Sequence, residues 1–102
     1  MQLQHSLIHE LDGRPLVLAQ GISAPDEVLL LLHHAANNQL ERSKLRDYAT
    51  NQKPKTVTMA ISRLIKDKAI RVAGNDEVAL TPIGQKRVMD QVLPKWAPKL
   101  RE

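Results

Sequence analysis

The sequence predicts a mainly α domain carrying a small β-ribbon, an α+β fold, with a β-hairpin ahead of it. Three observations predict it. Pro54 to Lys68 places apolar side chains at helical spacing, Ile70 to Leu80 alternates around Gly74-Asn75-Asp76, and Thr81-Pro82 restarts a helix. At 102 residues the chain makes one domain with a modest core. That core must be aliphatic, because the chain has one Trp, one Tyr and no Phe. The same scarcity disfavours a single-stranded nucleic-acid binder, which needs aromatic stacking platforms. The absence of Cys excludes a disulfide framework, a thiolate nucleophile and a cysteine zinc site.

Taking the elements in order, Ser6 to Ala19 reads as a hairpin about Asp12-Gly13, a dipeptide that favours the positive φ angles of a type I′ turn. Pro15 would confine its second strand to an edge. The rival reading is a helix, QHSLIHEL, broken at Gly13. No basic segment followed by a long apolar run opens the chain, so no secretion signal is expected. Residues 1–22 form an N-terminal extension in this reading, 23–93 the main domain and 94–102 a tail, with an oligomer contact as one use for the extension.

The next helix has Ser23 as its cap, Pro25 in its first turn, and Asp26 and Glu27 to complement its positive end. VLLLLHHAA is apolar nearly all round, which makes it either a central helix or one packed on a second subunit; Asn37-Asn38 ends it. Its longest apolar run, Val28 to Leu32, is too short to cross a bilayer, and a cytoplasmic setting is expected. The adjacent His33 and His34 point about 100° apart and do not converge on one ion. His5 and His9 have the i, i+4 spacing but no third ligand. Neither metal nor other cofactor is expected; exposed or hydrogen-bonded histidines are.

Leu40 supplies a short edge strand. Ser43 to Thr50 forms a helix with Leu45, Tyr48 and Ala49 inward, and Asn51-Gln52-Lys53-Pro54 makes the turn. The helix from Pro54 to Lys68 has two faces. Val57, Ala60, Ile61, Leu64 and Ile65 form the core stripe; Lys55, Thr58 or Met59, Ser62 and Lys66 lie opposite, flanked by Thr56 and Arg63. Strands Ile70–Ala73 and Glu77–Leu80 follow. A last helix, capped by Thr81, has Ile83, Val88, Val92 and Leu93 as its apolar set, and Pro94 ends it. Trp96 packs back on the domain or against a partner, the former favoured by the area a Trp buries.

Charge separates along this layout. The first 40 residues carry one cation, Arg14, against four acids; from Arg42 to Arg71 there are nine cations and two acids. A concentrated positive field suits a polyanion, the alternative being a solvated face. The exposed face of the Pro54 helix is short, polar and positive, as a major-groove reader requires.

From Lys53 to Val88 the chain, KPKTVTMAISRLIKDKAIRVAGNDEVALTPIGQKRV, resembles the core of the MarR-like winged helix-turn-helix regulators. The resemblance lies in a Pro-opened helix with Thr-Val-Thr, an Arg-Leu pair, a Lys-rich end, an apolar-plus-Arg strand and the junction Leu80-Thr81-Pro82-Ile83-Gly84. It implies a winged helix-turn-helix fold and sequence-specific binding of double-stranded DNA, as a small dimeric transcriptional regulator. Lys55, Thr56, Thr58, Met59 and Ser62 are expected at bases, and Lys53, Arg63, Lys66, Arg42 and Arg71 at phosphates. Arg63 has an alternative in an i, i+4 ion pair with Asp67, and Met59 in the edge of the core.

Three departures modify this. Lys68 stands where the family has glycine, and Ala69 where it has a large apolar residue. The acidic tip Asn75-Asp76-Glu77 should avoid the minor groove. The long dimerisation helices are missing, so no small-molecule effector is implied. A second function class is a winged-helix module that binds protein in a larger assembly; a third is a plasmid or phage segregation or replication DNA binder. An enzyme is not expected, since no phosphate loop, nucleophile arrangement or paired carboxylates stand out.

Overall fold

The computed structural model describes residues 8–11, 13–18 and 21–96. Readings that rest on His5, Ser6, Asp12, Ala19 and the tail from residue 97, including the turn type at Asp12, lie outside the described residues. Strands β1 (Ile8–Leu11) and β2 (Arg14–Val17) pair antiparallel, with Ile8 opposite Val17 and Glu10 opposite Pro15. Gly13, at φ +77°, supplies the left-handed backbone that closes the turn, so this segment is a hairpin and not a helix. A two-stranded sheet has only edges, where Pro15 is tolerated. Ile8 and Val17 are buried in the same core cluster as the helices.

Helix α1 (Ala24–His34) follows Ser23, yet the Ser23 hydroxyl makes no capping bond. The two first-turn acids are engaged elsewhere: Asp26 Oδ2 accepts from Trp96 Nε1 at 2.9 Å, and Glu27 turns into the core against Asn51. Val28 through Leu32 are fully buried, because the hairpin, the second sheet and the remaining helices all pack around α1. The all-round apolar character therefore belongs to the central helix of a single chain, and no second subunit is needed to cover it. Past His34, Asn37 and Asn38 take positive φ (58° and 54°). Asn38 Nδ2 donates to the carbonyls of His33 (3.1 Å) and Leu32 (3.3 Å), closing the helix end.

Strand β3 (Gln39–Glu41) leads into helix α2 (Arg42–Tyr48), a residue earlier than Ser43, and helix α3 (Pro54–Lys66) follows the turn. Strands β4 (Ile70–Val72) and β5 (Glu77–Leu80) join β3 in an antiparallel sheet of order β3-β5-β4, with Leu40 and Val72 both opposite Val78. Fully buried Val78 ties this sheet to the core.

The end of α3 shows how the chain manages without the expected glycine. Lys68 takes φ +66°, Ala69 N–H donates to Leu64 O and Lys68 N–H to Ile65 O, both at 3.0 Å. This pair of bonds is the Schellman arrangement, built here on a lysine.

Helix α4 (Pro82–Arg87) is capped as expected: the Thr81 hydroxyl accepts from Gly84 N–H at 3.1 Å and is within donating distance of Lys68 O (2.6 Å) and Ala69 O (2.9 Å). A Cβ on Gly84 would collide with the Ala69 carbonyl oxygen and lie 2.8 Å from Leu80 Cδ1. Because position 84 is the one pressed inward, Ile83 is turned away and 56% exposed, contrary to its expected place in the apolar set. Pro94 does not end the helix either. A π-turn over Val88–Val92 widens the coil, Leu93 N–H reaching back to Val88 O, and helical backbone continues through residues 93–96. Loosening the turn relieves the clash that a proline ring makes with the preceding turn of a regular helix. Trp96 is thereby carried back onto α1, where it is buried.

Candidate nucleic-acid interface

The turn before α3 is held from two sides by side-chain amides. Asn51 Nδ2 donates to Glu27 Oε2 (3.0 Å) and to Val17 O (3.1 Å), and Gln52 Nε2 donates to Ile22 O at 2.6 Å. The start of α3 is thus pinned to α1, the hairpin and the segment between them. Burial pushes the Glu27 carboxyl above its ordinary value of 4.5, against the opposing hydrogen bonds from Asn51 and Gln52. Its other oxygen, Oε1, is buried without a hydrogen-bond partner among the described residues.

Along α3, Val57, Ala60, Ile61 and Leu64 face the core while Lys55, Thr56, Thr58, Met59, Ser62, Arg63 and Lys66 are exposed. Seven of the ten expected contact residues therefore share one helix, and Lys53 caps its start as another exposed cation. Met59 is 64% exposed and is not an edge-of-core side chain. The Thr58 hydroxyl donates to Pro54 O at 3.1 Å, which leaves its methyl and an acceptor lone pair outward. Among the described residues no hydrogen bond or ion pair engages the Arg63 guanidinium. The acid expected to pair with it, Asp67, lies 3.8 Å from Arg87 of α4 instead.

Arg42 and Arg71 stand apart from this face. Arg42 opens α2 half-buried, its backbone N–H donating to Asp76 O at 2.7 Å and its Nε enclosed without a hydrogen-bond partner among the described residues. Arg71 is exposed on β4. The ribbon between is tied down: Gln39 Nε2 donates to Glu77 Oε1 at 2.7 Å, and Ala73 N–H to Glu77 O at 2.9 Å. Together with the Arg42–Asp76 bond, these contacts turn the acidic tip into a brace on the β3–α2 junction.

Two of the hollows formed by the described residues flank α1 and α3. One, of about 380 Å³, lies among β1, α1 and the C-terminal turn, with His33, His34, Glu10 and Leu93 in its wall. Burial and then the neighbouring His34 push the His33 imidazole pKa down, while His34 Nε2 lies 2.9 Å from Glu10 Oε2. Among the described residues no group of three or more His, Asp or Glu is placed to hold a metal ion, and no helix is long and apolar enough to cross a membrane. The other hollow runs beside α3. No protein family, curated protein or solved structure matches this chain.

Proposed function

We propose that the chain is a winged helix-turn-helix domain of the MarR-like kind that binds double-stranded DNA with sequence preference, as a small dimeric transcriptional regulator. The order α1–β3–α2–α3–β4–β5, with the sheet ordered β3-β5-β4, supports the fold assignment. The observation that carries the function is the outer face of α3. Lys55, Met59, Ser62 and Lys66 are exposed together, with no acid among them, on a helix whose other side is locked into the core. A helix of this diameter enters the major groove, where short hydroxyls approach base edges and the Met59 thioether meets a thymine methyl. Lys53, Arg63 and Lys66 take the phosphates.

The test is a titration of labelled duplex DNA at several salt concentrations. Neutralising about four to six phosphates gives a log–log slope near −4 to −5. The Lys55→Ala, Lys66→Ala double variant should weaken binding and flatten that slope with its unfolding midpoint unchanged. A salt-insensitive complex, or no complex with any duplex, contradicts the proposal. The second reading, a winged-helix module that binds protein, is favoured by the tied-down acidic ribbon and by the exposed Ile83 and Met89. It predicts no duplex binding by the intact chain.

A further inference from the structure

The hollow beside α3, about 360 Å³, has an apolar floor of Pro25, Met59 and Leu64, with Arg63 of α3, Arg87 of α4 and the acid Asp67 among its walls. We propose that it receives the sugar–phosphate backbone of one strand of the duplex, with Arg87 and Arg63 as paired phosphate contacts. This rests on the reading of α3 as the helix that enters the major groove.

Continuity with that face is the first argument. Thr56 and Met59 line the hollow and also belong to the exposed side of α3. A helix of about 10–12 Å diameter fills a major groove about 12 Å wide, so a row of phosphates runs along each of its flanks. The strand on the Thr56–Arg63 flank therefore passes over this hollow.

Side-chain chemistry is the second argument. Deoxyribose presents an apolar face suited to Pro25 and Met59, while phosphate oxygens suit guanidinium donors. Arg63 is unpaired among the described residues. Arg87 is held only loosely: its Nη1 lies 3.8 Å from Asp67 Oδ2, beyond the about 2.7–2.9 Å of a direct charge-assisted bond. So long a contact leaves the Arg87 donors open to a phosphate, for which the Asp67 carboxylate is a competitor.

The tied-down ribbon adds a third. Its tip carries Asp76 and Glu77 and is fastened to Arg42 and Gln39, which leaves it poorly suited to a backbone contact. Helix α4 supplies that contact in its place.

Duplex titrations over a range of salt, using the full chain, test the assignment. Arg87→Ala should lower affinity about 3- to 10-fold and reduce the salt slope by about 1, equally for all sequences. Arg87→Lys should keep most of the slope, since it keeps the charge. Asp67→Asn, which removes the competing carboxylate, should tighten binding and gives an independent reading should Arg87→Ala fail to fold. Wild-type affinity and slope in Arg87→Ala, or no tightening in Asp67→Asn, overturns the assignment while the Lys55, Lys66 variant still reports on α3. Failure of the unaltered chain to bind any duplex removes the DNA reading and this inference with it.

Discussion

Lys68 sits in a conformation that costs a lysine about 1–2 kcal/mol and a glycine almost none. Glycine gives part of that back as extra freedom of the unfolded chain, about 0.5–1 kcal/mol. Lys68→Gly should therefore stabilise the protein by about 0.5–1 kcal/mol, read from urea unfolding. Glu27 is the other residue whose surroundings make a prediction. Its raised pKa means the unfolded chain ionises first, so its stabilising contribution is complete below the ordinary value of 4.5 and is lost as pH rises through the raised value. Glu27→Gln should remove that pH dependence while still accepting from Asn51. Glu27→Ala should destabilise by about 1–3 kcal/mol, because it empties a fully buried site and removes one of the two acceptors of the Asn51 amide. The position of Lys68 was legible, since a glycine is expected there, but the role of Glu27 was not. The sequence shows Glu27 as an ordinary first-turn acid, and only the packing of the α2–α3 turn onto α1 reveals where its carboxylate goes.

Among the elements, the junction from β5 to α4 is the most constrained. Thr81 bonds both the cap and the end of α3, and Gly84 leaves room for the Ala69 carbonyl. Gly84→Ala should destabilise by about 1–3 kcal/mol through overpacking, measured as a lowered unfolding midpoint. Much at this scale was readable: the two faces of α3, the pairing of β1 with β2 across Gly13 and the Thr-Pro start of α4 all follow from local spacing and turn chemistry. What misled was local too. Pro94 stops a regular helix, but the π-turn before it depends on packing that no local pattern displays. Ile83 looks like a core residue until the close approach at Gly84 turns it outward. The groove between α3 and α4 joins residues far apart in sequence, and no spacing rule places Arg87 beside Arg63.

At the scale of the whole molecule, hairpin, helices and C-terminal turn share one aliphatic core around α1. The hairpin and Trp96 bury apolar surface in that core and touch α1, whose Glu27 holds the turn ahead of α3. The cationic side of α3 is thus presented by a body anchored on several sides, which favours a preformed binding surface over one that folds on contact. Recognition of duplex sequence by this surface is measured by selecting bound fragments from random duplex DNA with the purified chain. The expected result is an enriched motif, palindromic if two copies bind together, that is lost in the Lys55→Ala, Lys66→Ala variant. Recovery of fragments with no enrichment over the starting pool would contradict it.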